Sequence, residues 1–233
     1  MLALLLLLAA PRPEFAAVED DPALPRVLLI GDSISIGYTL PVREQLAGEA
    51  NVHRPPVNCG PTTRGLERLE DWLSQSGTTD PTSWDVIHWN FGLHDLKFVD
   101  ENNRPSTPGE GRHQVSLEDY RRNLDAMAAK LTATGAIVIW RNTTPVPEPG
   151  TAMRIPSDVV EYNRVAAEVM AKHDIAIHDL YSFAKANESE IQRPANVHYT
   201  PEGSAQLAEE VAKVIREAIA QRAAARSATP VER

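Results

Sequence analysis

Along this chain, short apolar blocks alternate with longer stretches in which apolar residues recur every three or four positions. Continuous apolar runs at 27–30, 85–91, 136–141 and 175–178, with a weaker one at 51–54, have the length and composition of strands buried on both faces. Leu117, Tyr120, Leu124, Met127 and Leu131 mark one face of a helix, Val159, Tyr162, Ala166 and Val169 a second, and Ala208, Val211, Ile215 and Ala218 a third. Ser116 with Asp119 predicts a capped start for the first of these and Gly135 its end, while Thr200 followed by Pro201 starts the last. Shorter helices are predicted over 41–50 and 64–73. Strand and helix in alternation predict βαβ units and a parallel sheet, that is, an α/β domain.

Two polar stretches interrupt the pattern at strand ends. Residues 97–115 and the proline-rich 143–156 both leave the carboxyl edge of the sheet, where open α/β sheets hold their ligands, so together they are expected to wall a cleft. The chain divides into a leader and linker over 1–25, a domain over 26–222 and a loose tail over 223–233. The leader, "MLALLLLLAA" followed by Phe15-Ala16-Ala17, is too short to span a bilayer and resembles a signal peptide without a basic start. It predicts a secreted or periplasmic protein with no membrane attachment once the leader is removed.

Composition narrows the partners. A chain of 233 residues, 42% hydrophobic, can bury one sizeable core. A net charge of −9 and no Lys/Arg-rich block argue against nucleic acid. The single Cys59 excludes an internal disulfide, and no histidine spacing of metal-ligand type is present, so no metal site is expected.

The chemistry lies at the ends of the apolar runs. "RVLLIGDSISIGY" breaks at Gly31-Asp32-Ser33, where a serine on a strand-to-helix turn exposes its hydroxyl, although Asp32 and Ser33 equally suit a helix cap. His198 stands before the capped helix at Thr200 and returns to the same edge, where a neutral imidazole can take the serine's proton. Gly60 of Asn58-Cys59-Gly60 can offer a backbone N–H, and Gly92-Leu93-His94-Asp95 follows the third strand.

These four blocks, in this order, resemble those of the SGNH (GDSL-type) hydrolase family. The resemblance runs from Arg26 to about Arg222. It implies a flavodoxin-like three-layer α/β/α sandwich with a central, mostly parallel five-stranded sheet, and a serine esterase without metal or organic cofactor. Ser33 then corresponds to the nucleophile, His198 to the general base, and Ser33, Gly60 and His94 to the oxyanion hole. Two positions depart from the family. His94 replaces the asparagine of the third block, with Asn90 as a rival donor. Ala195 replaces the aspartate three residues before the histidine, leaving Asn196 or Asp179 to orient the ring. The expected substrate is a small-molecule or carbohydrate ester, plausibly an acetylated carbohydrate. The competing expectation is a weak or inactive relative that binds a glycan or peptide.

Overall fold

The computed structural model describes residues 12–74 and 83–228; the apolar run Met1–Ala10 lies outside them. Five parallel strands form the sheet: β1 (Arg26–Ile30), β2 (Asn51–His53), β3 (Val86–Trp89), β6 (Ile137–Arg141) and β7 (Ala176–His178), ordered β2-β1-β3-β6-β7. Helices α1 (Ser33–Gln45) and α7 (Pro201–Ala228) pack together, while α2 (Thr62–Ser74), α3 (Leu117–Thr132) and α4 (Pro156–Lys172) form a second packed layer. Short α5 (Leu180–Ala186) and α6 (Glu188–Ile191) lead into α7. This is the expected three-layer α/β/α architecture.

Register explains the core. Ile30, Trp89 and Trp140 are aligned on adjacent strands, so all three point to one face, and the two indoles meet edge-on at 4.7 Å. On the other face, His88 of β3 approaches His178 of β7 across the shorter Ile139, its Nε2 3.1 Å from Nδ1. Both imidazoles are kept uncharged: burial drives His88 well below the usual histidine range and lowers His178 to about 4.

The structure moves several predicted boundaries. The first helix begins at Ser33 rather than 41, because Asp32 accepts from the Ile34 N–H (3.0 Å) and caps it; Pro41 lies inside. The last helix runs on to Ala228 instead of loosening at Arg222, because Arg222 and Arg226 both reach Asp85 Oδ1, at 2.7 and 2.8 Å. Within the polar stretch after β3, Phe98–Val99 (β4) and Arg112–His113 (β5) pair as an antiparallel ribbon with Phe98 and Val99 buried. The expected linker is docked as well. Its short 3₁₀ turn Pro13–Phe15 is held by Arg43, which donates to the Pro13 and Ala16 carbonyls at 3.3 and 3.4 Å. The Phe15 ring lies under the guanidinium groups of Arg12 and Arg54, at 5.0 and 5.4 Å.

Candidate active site

β1 is flanked by β2 on one side and β3 on the other, so the turns that follow these three strands converge at one sheet edge. Ser33 occupies the first position of α1, where a backbone N–H has no intrahelical acceptor. Its Oγ lies 2.8 Å from His198 Nε2. Capping and nucleophile placement therefore coexist in the same turn, with Asp32 serving the helix and Ser33 facing the imidazole.

The loop that delivers His198 is fastened on both sides. Arg193 N–H donates to the His198 carbonyl (2.9 Å), Thr200 N–H to Ile191 (2.9 Å), and the Gln192 amide to Pro145 and Asn196 carbonyls at 3.1 and 3.0 Å. Ala195, where the family places aspartate, turns through the left-handed region at φ 50°. Asn196 then supplies the contact: its Oδ1 lies 3.0 Å from the His198 backbone N–H and 2.7 Å from Nδ1. A backbone N–H only donates, so the shared Asn196 atom is the carbonyl oxygen, and Nδ1 must carry the ring proton. That leaves Nε2 as the lone pair facing Ser33. Burial lowers the His198 pKa below the usual histidine value, Asp32 opposes this, and Arg154 and Arg193 reinforce it.

The remaining candidates separate. Gly60, in the left-handed region at φ 69°, has its N–H on Asn58 Oδ1 at 3.0 Å. His94 is half-buried beside the site, where Asp32 and His198 both act on its titration, and burial pushes it down to about 4. It is a neutral imidazole with one N–H, not the cation that would donate most strongly. Asn90 is not a free donor: its Nδ2 is spent on the Arg141 carbonyl (2.7 Å) and Thr143 Oγ1 (3.2 Å), tying β3 to β6. Asp179 is not the acid. It caps α5 through Ser182 and accepts from Asn142, and it stands at the end of β7, three strand spacings or about 14 Å from β1.

Two further buried side chains support these turns. Asp95 accepts from the Thr62 N–H (2.8 Å) and hydroxyl (2.5 Å) and so pins the start of α2 under the third block. Burial raises its carboxyl to about 7. Arg141, fully buried at the end of β6, lies 3.8 Å from Asp32 beneath the serine turn. A cavity of about 540 Å³ opens beside Ser33 and His198, lined by apolar Ile34, Ile36, Leu40 and Pro41 together with Arg12, Glu14, Glu44, Arg193 and Ser204. Arg12 and Glu14 of the N-terminal turn line it, whereas the 97–115 and 143–156 segments expected to wall a cleft do not line this cavity. Among the described residues, no three His, Cys, Asp or Glu side chains converge as a metal site.

A sequence profile described as the GDSL-like lipase/acylhydrolase family matches residues 29–206. The chain belongs to this family. It is thus of the SGNH esterase and acylhydrolase type, as the four blocks indicated. Solved structures share the family's fold with it at low identity. A lipase/acylhydrolase from Enterococcus faecalis is 20% identical over 83% of this chain and 96% of its own, with TM-score 0.62. An acetyl xylan esterase, AlAXEase, is 15% identical over 82% and 99%, with TM-score 0.62. TesA is 19% identical over 83% and 99%, with TM-score 0.61. A search of curated protein sequences gave no match.

Proposed function

We propose that this SGNH-family chain is a serine esterase that removes a small acyl group, an acetyl group foremost, from a carbohydrate ester. The observation that carries the reading is the 2.8 Å contact between Ser33 Oγ and an imidazole nitrogen whose tautomer leaves it a lone pair. Ser33 attacks the ester carbonyl as His198 Nε2 takes its proton; the imidazolium then protonates the departing alcohol. The tetrahedral oxyanion accepts from the Ser33 N–H, from the Gly60 N–H once it displaces Asn58 Oδ1, and from the neutral His94 ring. Water, activated by the same imidazole, releases the acid and restores Ser33.

The carbohydrate assignment is supported by the mixed polar and apolar lining of the adjacent cavity and by the resemblance to an acetyl xylan esterase fold. The test is labelling with a fluorophosphonate probe together with acetate release from acetylated oligosaccharides. Wild-type protein is expected to do both, and Ser33→Ala to lose both by about a thousandfold or more. Absence of labelling and turnover in the wild type would instead favour a glycan- or peptide-binding role.

A further inference from the structure

The chain carries a net charge of −9, yet three cations, Arg154, Lys97 and Arg193, stand near His94 and His198, with Asp32, Glu14 and Glu44 the acidic groups close to the same site. Arg154 spends one of its donors on the Leu93 carbonyl, Nε to oxygen 2.8 Å, which fixes its guanidinium next to His94. Lys97 is brought alongside by the bond from Phe98 N–H to the Met153 carbonyl, 2.8 Å, which joins the two chain segments one residue from each cation. Arg193 stands on the other side, its Nε on the Tyr199 carbonyl at 3.0 Å and its backbone N–H on His198. Among the described residues none of the three forms an ion pair with a carboxylate, whereas Arg26, Arg121, Arg216 and Arg222 each do. Arg154 and Lys97 act on the titration of His94, and Arg154 and Arg193 on that of His198, as expected for cations facing one site. Half-buried Arg154 and Lys97, with exposed Arg193 near them and only the more distant Asp32 carboxylate acting on Arg154, are a recognition element for negative charge on the ligand.

We propose that the substrate is a carboxylate-bearing ester, an O-acetylated acidic oligosaccharide rather than a neutral one, with the carboxylate held by Arg154 and Lys97 and assisted by Arg193. This rests on the esterase reading but is separable from it. The planar guanidinium, anchored through Nε, presents its remaining N–H groups as a fork for a carboxylate. Lys97 adds a second positive charge beside it.

The experiment measures kcat/KM on O-acetylated galacturonate oligomers and on O-acetylated xylose oligomers of equal length, with p-nitrophenyl acetate as a check of the bare chemistry. The expected ratio of acidic to neutral substrate is about tenfold at low salt and shrinks as salt rises. Arg154→Gln and Lys97→Gln are each expected to lower that ratio severalfold through KM, with Arg154→Lys retaining part of it. A ratio near one in the wild type, or one unmoved by both variants, overturns the proposal while leaving the esterase intact if p-nitrophenyl acetate is still cleaved. Should no ester be cleaved, calorimetric binding of unacetylated galacturonate oligomers to the Ser33→Ala protein decides. Binding weakened by Lys97→Gln upholds the acidic-ligand site, and no binding overturns it. Melting curves of the variants guard against loss of fold, and Lys97, which anchors no loop through its side chain, is the variant that keeps the test sound.

Discussion

The amide of Asn196 can point the His198 ring, but it carries no charge to balance the imidazolium that forms when Ser33 gives up its proton. Orientation and electrostatic support are therefore separable at this residue. Asn196→Ala is expected to lower kcat/KM roughly tenfold to a hundredfold by freeing the tautomer. Asn196→Asp keeps both contacts and adds a negative charge, which raises the His198 pKa. The acid limb of the pH–rate profile, starting below the ordinary histidine value of 6.5, should then move to higher pH. A profile that stays in place would mean that the loop has moved. At this scale the sequence was legible where chemistry coincides with a strand end, as for Ser33 and His198, whose side chains meet. It named Asn196 and Asp179 as alternatives for orienting the ring and Asn90 as a rival donor without choosing among them, since which way an amide or carboxylate points depends on the neighbouring strand and on a left-handed Ala195.

Whole elements decide how those residues meet. The turn after β3 fits against the turn after β6 only because position 92 has no side chain: a Cβ on Gly92 would lie 2.0 Å from Thr143 Oγ1. Gly92→Ala is expected to cost about 2 kcal/mol or more in chemical denaturation and to displace His94, two residues on. The N-terminal turn is the other determinant, because Arg12 and Glu14 line the cavity beside Ser33. Phe15→Ala should remove about 1 kcal/mol of stability, and it should alter KM for esters with bulky groups more than for p-nitrophenyl acetate. Periodicity located the strands and the long helices. It placed the start of α1 too late because Pro41 reads as a helix opening, and it treated 12–25 as a connector because docking through Arg43 and Arg54 leaves no periodic trace.

For the molecule as a whole, the parallel order with β1 between β2 and β3 follows from the alternation of strand and helix, and it is what assembles a site from blocks 165 residues apart. Its stability should depend on pH in two opposed ways. His178 has a folded pKa of about 4 against 6.5, so its contribution is present above 6.5 and is lost as pH falls towards 4. Asp95, raised from 3.8 to about 7, contributes at low pH and loses that contribution as pH rises through 7. Comparing melting temperatures at pH 7.5 and 4.5 separates them. His178→Gln should flatten the acid-side loss, with each kcal/mol recovered appearing as roughly 2–4 °C, and Asp95→Asn should flatten the opposite slope. The buried pair was invisible in the sequence because its members lie 90 residues apart and meet only across β6. Cys59 offers a last use of this arrangement. Its backbone N–H is bonded to the Gly31 carbonyl directly behind the serine, and its thiol is fully enclosed and raised to about 12. A maleimide therefore finds nothing to react with until the floor under the nucleophile parts, so the chain's own sulfhydryl is a clock for how often its catalytic turn breathes.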